Sequence, residues 1–310
     1  MRDAAIDTFT EIIAKKMLPP EKVQLMRVLN IGTVVSELAA TPSLADQHSS
    51  RYDTDLAETV AKLINTVVTD IAKVLETDST DDATRQQADE LLQTFLPYLL
   101  RFFGDEFDEV CSTLIPSLTD ILTFFRKITK GKGELPVTYQ AMLLPILESV
   151  IRKMKIDESL PWGDETEQTE EAEFQELRKK LHVLQQTIAA IDETLYMQTI
   201  GRVVADTFTK FEADPASLNW RDLDLALHEM YLFGELAARN GGLYQKRQPS
   251  SAASQALVEM MSKMVQTGTD CSFNPIHGSL YSPVFRRWLT PLSLDTTAVH
   301  GDLCALLPIL

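Results

Sequence analysis

The chain has 310 residues, 45% hydrophobic and 24% charged, a globular balance that excludes disorder over its whole length. Its net charge of −16 and pI near 4.7 argue against broad RNA contact, because phosphate neutralisation drives such binding and leaves a basic footprint; a local basic patch is still compatible. No apolar run reaches the ~18–20 residues of a membrane span, since the most apolar stretch, Leu91 to Phe103, is broken by Gln93, Pro97 and Arg101.

At the N-terminus Asp3 and Asp7 stand where a secretory signal needs a basic and then an apolar start, so a soluble chain not secreted by that route is expected. Met1-Arg2-Asp3-Ala4-Ala5 and the apolar helix after it resemble the second helix of a HEAT repeat, in which small residues let the partner helix approach closely. A second helix without its first leaves an apolar face bare. The chain is therefore expected to begin in mid-repeat, as an excerpt of something longer.

Helical periodicity predicts helices near 3–17, 21–40, 54–77, 83–103, 105–130, 136–154, 170–191, 193–212, 218–239 and 252–267. Breaks fall at Pro19-Pro20, Thr41-Pro42, Gly131 and Gly133, Pro161 to Gly163, Asp214-Pro215 and Gly241-Gly242. Val60, Leu63, Ile64, Val67, Ile71, Val74 and Leu75 share one face. Phe174, Leu177, Leu181, Leu184, Ile188, Ile191 and Leu195 repeat at 3-4 spacing. That pattern fits a coiled coil or a packed antiparallel helix, and the short connections and missing charged seam favour the second. Alternating β-branched runs are absent, so the fold class is all-α. Leu96-Pro97 and Leu144-Pro145 repeat an apolar-Pro-apolar signature about one HEAT period apart (roughly 40–47 residues, or slightly above). Proline inside a helix removes a backbone hydrogen bond and bends the helix, and Pro116 is expected to act alike.

Two basic clusters follow helices: Arg126, Lys127, Lys130 and Lys132, then Arg152, Lys153 and Lys155. Cations in a last turn complement the helix dipole; the same side chains are the only phosphate-contact edge the chain offers. From Asp157 to Glu176 stand nine acids, among them Asp164, Glu165, Glu167, Glu170 and Glu171, with no Lys or Arg. Two readings fit this segment. One is a solvated loop ending at a helix N-terminus; the other is an acidic arm for a basic partner, supported by Trp162, which is costly to expose. Arg178, Lys179 and Lys180 are expected to pair with the acidic turn before them. Trp220 opens a helix as a packing residue ahead of Leu223, Ala226, Leu227 and Met230.

Catalytic motifs are missing. His228-Glu229 begins like a zinc-protease helix, but Leu232 stands where the second histidine is needed. Gly131-Lys132-Gly133-Glu134 lacks the remaining residues of a dinucleotide or phosphate loop. Cys111, Cys271 and Cys304 show no metal spacing, which fits a reducing compartment. No enzyme, cofactor or metal is expected.

Lys153-Met154-Lys155, the Trp162-bearing acidic stretch and Glu173 through Lys179 resemble the acidic linker and following helix of karyopherin-β exportins. So does Asn219-Trp220-Arg221-Asp222-Leu223 through Glu235. With Arg2-Asp3-Ala4-Ala5 through Ile13, they are similar to the exportin-T (tRNA exportin) family in a fungal-like form, over residues 1–268.

The resemblance implies a HEAT-type α-solenoid, 1–268, with an acidic linker at 155–169. It implies the central part of a receptor that shuttles between nucleus and cytoplasm and binds Ran in its GTP form, tRNA and nucleoporins as a monomer without membrane insertion. On this reading Asp164, Glu165, Glu167, Glu170 and Glu171 face Ran, while Arg126, Lys127, Lys130, Lys132, Arg152 and Lys153 face tRNA backbone. A HEAT scaffold or a protein-cargo karyopherin without RNA binding is the alternative. Residues 269–310, with Pro275, Pro283, Pro291 and Pro308, depart from the pattern and are expected to be a divergent, poorly ordered tail.

Overall fold

The computed structural model describes residues 2–157, 168–214, 216–239 and 251–268. The tail at 269–310 lies outside them, as does most of the acidic linker. Among the described residues every regular element is an α-helix, and the fold class is all-α, of the HEAT-type helix-pair solenoid. The helices are α1 Arg2–Ala14, α2 Pro19–Val28, α3 Ile31–Ala39, α4 Thr54–Glu76, α5 Asp82–Phe103, α6 Asp108–Lys132, α7 Val137–Lys153, α8 Gln168–Ile191, α9 Glu193–Ala213, α10 Trp220–Arg239 and α11 Ala252–Gly268. They fall into two units, residues 1–192 and 193–310. No described helix is long and apolar enough to cross a membrane.

The first unit has two layers. α1, α4, α6 and α8 form one, with α4 packed on α1 and α6, and α6 on α8; α2, α3, α5 and α7 form the other. α4 is the centre of this unit because its apolar stripe is broad. All seven residues of the sequence-derived face are buried, and Ala57, Ala61, Val68 and Ala72 are buried beside them, which lets one helix cover α1, α5 and α6 together. Side-chain oxygens set the starts of α4 and α5. Asp53 Oδ1 accepts from the Leu56 N–H at 3.1 Å, and Asp81 takes both the N–H (2.9 Å) and the hydroxyl (2.7 Å) of Thr84. Those two bonds hold the Asp81 carboxyl below the usual range, the hydroxyl contributing most.

Two local findings differ from the sequence expectation. The helix expected over 21–40 is two helices, because Asn30 takes φ 47° and ψ 43°, a left-handed conformation that Asn tolerates better than other non-glycine residues. The first helix ends at Ala14 rather than near 17. Its last carbonyls are taken by Lys22, whose Nζ donates to Ile13 O and, at 2.6 Å, to Lys15 O.

Pro97, Pro116 and Pro145 all lie inside continuous helices. At Pro116 the break in the hydrogen-bond ladder has a use. The next amide, Ser117 N–H, donates across the layer to Asn65 Oδ1 of α4 at 3.0 Å, which ties the centres of α4 and α6. α8 packs on α6 and α7, so its 3-4 pattern is a packed face. The pattern stops at Asp192, and Leu195 belongs to α9. In the second unit α9, α10 and α11 pack on one another. α10 opens at Trp220, and its residues 223–230 are all buried.

Candidate binding edges

The C-terminal half of α6 ends beside the C-terminus of α4. Arg126, Lys127 and Lys130 are exposed there; the Lys132 side chain lies outside the described set. Lys127 is ion-paired with Glu76 of α4, while Arg126 and Lys130 have no ion pair among the described residues. A groove of about 440 Å3 opens next to them, lined by Glu76, Asp78, Arg85, Phe124, Lys127 and Tyr139. Its wall is stiff. The Tyr139 ring stacks on Phe125, centroids 4.8 Å apart, and its hydroxyl donates to Asp89. Burial first, then that bond, raises the Tyr139 hydroxyl above its ordinary pKa, against a smaller opposing effect of Arg85. Arg85 itself reaches the carbonyls of Leu75 and Thr77, each at 3.4 Å.

The second cluster lies elsewhere. Arg152 is exposed and has no ion pair among the described residues. Lys153 is committed to the α5–α6 turn: its side chain is 10% exposed and Nζ contacts Asp108 at 2.9 Å, Asp105 O at 2.6 Å and Glu106 O at 3.1 Å. That uses all three ammonium donors. Lys155 also has an interaction within the chain. A groove of about 700 Å3 sits at this end, lined by His48, Glu106, Phe107, Glu109, Arg152 and Phe174 among others. Phe107 stacks on Tyr52 at 5.9 Å. Burial pushes the Cys111 thiol, near the start of α6, up to about 12.

The two clusters do not share an edge. Tyr139 at the start of α7 stacks near the end of α6, and Lys153 at the end of α7 meets Asp108 at the start of α6. The helices therefore run antiparallel, and roughly 25 Å of α6 separates the clusters at 1.5 Å per residue. Each can contact a phosphate independently; together they form no continuous stripe.

Of the acidic residues, Asp164, Glu165 and Glu167 lie outside the described residues, as does the side chain of Glu170. Glu171 is half-buried on α8 and has an interaction within the chain. Arg178 is buried beside the end of α7 and has a further interaction within the chain. It is 2% exposed, its Nε donates to Met154 O at 2.9 Å, and its guanidinium lies 4.8 Å from the Phe174 ring centroid. It ties α7 to α8, and Lys179 pairs locally, with Glu176 at 2.5 Å. Trp220 is half-buried under Arg221, 4.7 Å from ring centroid to guanidinium carbon. His228 and Glu229 are buried, and the described residues contain no cluster of three His, Cys, Asp or Glu placed to hold a metal.

Comparison with known proteins places these edges in a family context. The family model for exportin-T matches residues 82–291. The chain is 58% identical over 268 residues to an exportin-T of Phaeosphaeria nodorum, covering 86% of this chain and 26% of that protein. It is 56% identical over 275 residues to one of Botryotinia fuckeliana, covering 88% and 26%. The exportin-T of Emericella nidulans is 48% identical over 304 residues, covering 98% of this chain and 30% of its own length. The chain thus spans less than a third of each of these relatives.

Proposed function

The chain belongs to the exportin-T family, and from that premise we propose that it is the central segment of a tRNA nuclear export receptor. The reading is one of binding, with no catalytic role and no cofactor. In it, Ran in its GTP form and tRNA bind together in the nucleus, nucleoporins pass the complex through the pore, and the monomeric receptor returns from the cytoplasm. The observation that carries it is the family match across a stack of helix pairs with an exposed cationic edge at Arg126, Lys127 and Lys130. Arg152 supplies a separate contact at the opposite end of α6 and α7, and Lys132 extends the first edge in sequence.

Coupling is thermodynamic. Ran and tRNA raise each other's affinity only if both favour the same arrangement of the helix stack. The acids Asp164, Glu165, Glu167, Glu170 and Glu171 are the proposed Ran-facing group. Charge reversal at Glu165, Glu167, Glu170 and Glu171 should weaken retention of GTP-loaded Ran. Unchanged retention returns them to a solvated segment.

The test uses the full-length Phaeosphaeria nodorum exportin-T with this chain in place of its homologous segment. tRNA pull-down with and without GTP-loaded Ran should give much higher tRNA recovery with it; equal recovery contradicts the proposal. One observation favours a second reading, a protein-cargo karyopherin or scaffold that never touches RNA: the net charge of −16. Under it, neutralising the cationic edge leaves tRNA recovery unchanged.

A further inference from the structure

The turn from α4 to α5, residues 77–81, contains three hydroxyls. Thr77 Oγ1 donates to Lys73 O at 2.7 Å, and Thr80 Oγ1, buried, donates to Val74 O at 2.9 Å. Ser79 is exposed within the turn, and its hydroxyl makes no hydrogen bond among the described residues. Its surroundings are acidic on both sides: Glu76 and Asp78 precede it, Asp81 and Asp82 follow. A serine with acids at the second and third following positions suits a protein kinase whose substrate cleft is basic, by charge complementarity.

The placement of this turn gives a modification consequences. Glu76, three residues before Ser79, is ion-paired with Lys127 of α6. Asp78 and Lys127 line one groove together with Arg85. Ser79 also stands two residues before Asp81, the N-cap of α5, near the positive end of that helix dipole, which offsets part of the repulsion between a phosphate and the neighbouring carboxylates.

We propose that Ser79 is a phosphoacceptor for an acid-directed, ATP-dependent serine/threonine kinase, and that its phosphate draws Lys127 from Glu76 and weakens the α6 edge as a polyanion contact. In the transfer, Ser79 Oγ bonds to the γ-phosphorus of ATP as the bond to the β,γ-bridging oxygen breaks. ADP leaves, and the hydroxyl proton passes to the kinase's catalytic carboxylate. The product adds about −1.5 to −2 charges and three acceptor oxygens three residues along the chain from Glu76, the ion-pair partner of Lys127. The turn must open locally for the kinase, against the Thr77 and Thr80 bonds. The modification stands on the turn alone; its effect on binding rests on the reading of the α6 edge given above.

The test incubates the full chain with casein kinase 2 and Mg-ATP and maps phosphate by peptide mass spectrometry. Phosphorylation at Ser79 is expected, lost in Ser79→Ala and reduced at least tenfold in Asp82→Ala. Absence of phosphate at Ser79 overturns the proposal. In the full-length chimera, the phosphorylated form should then recover at least fivefold less tRNA with GTP-loaded Ran. Undiminished recovery, in a protein where Arg126→Ala with Lys130→Ala does lower it, overturns the regulatory half. If that double substitution is also silent, the α6 edge reading itself has failed, and the regulatory half falls with it.

Discussion

Lys22 is 5% exposed, yet its ammonium is fully engaged, by Ile13 O, Lys15 O and, at 2.8 Å, Asp70 Oδ2. Arg101 does the same from α5, donating to Ala39 O at 2.8 Å and to Leu44 O, and Arg178 and Lys153 repeat it further along. Each of these cations closes the carbonyl end of a preceding segment, which would otherwise lack partners. Lys22→Met should therefore cost about 2–4 kcal/mol, since it strands buried carbonyls and half of an ion pair, and thermal melting reads the loss. These ties were invisible in the sequence because their acceptors are backbone carbonyls far along the chain. A lysine or arginine in a basic run reads as surface, and only the packing around Lys153 and Arg178 separates them from Arg126 and Lys130. Cys111, in contrast, is a small residue wholly buried in the core. With burial pushing its thiol up to about 12, the reactive thiolate is suppressed at pH 8. Site-resolved alkylation should find Cys111 protected in the native chain and labelled in urea; rapid native labelling contradicts its burial. Tyr52 and Tyr139 are both raised above 10.0, first by burial and then by their bonds to Asp105 and Asp89. The sign follows: the unfolded chain ionises these phenols first, so their stabilisation is complete below about pH 10 and lost as pH rises above it. Tyr139→Phe should flatten the fall of the urea midpoint above pH 10.

Among elements, the apolar faces of α4 and α8 were readable because both are long and strictly periodic. The division of 21–40 was not. Val23 and Met26 before Asn30, and Ile31 and Val35 after it, are each at helical spacing and all buried, so each side reads as helix, and the left-handed backbone at Asn30 reveals the break between them. Asn30→Gly should be neutral or slightly stabilising, and Asn30→Val should cost about 1–2 kcal/mol, because a β-branched residue resists φ above zero. The prolines were recognised as a repeat signature, but the partner of the freed amide was not, since Asn65 lies on another helix. Asn65→Ala leaves the Ser117 N–H part-buried without its acceptor and should cost about 1–2 kcal/mol. Stability unchanged in the urea midpoint would mean that water replaces Asn65 at no loss.

For the whole molecule, family membership gives the two edges their meaning, and charge gives them their limits. An acidic chain can hold polyanionic RNA only where cations are left over after internal pairing, and among the described side chains of the basic runs these are Arg126, Lys130 and Arg152 plus the surface-paired Lys127. The sequence revealed which residues are basic; it did not reveal that antiparallel α6 and α7 place the runs at opposite ends. The most direct measurement is tRNA affinity of the full-length chimera with GTP-loaded Ran, titrated with salt, before and after Arg126→Ala, Lys127→Ala and Lys130→Ala together. The account predicts at least tenfold weaker binding and a salt slope shallower by roughly 2–3, as expected for two or three lost phosphate contacts. An unchanged affinity and slope would contradict it and leave the chain as a helical receptor that does not touch RNA at this edge.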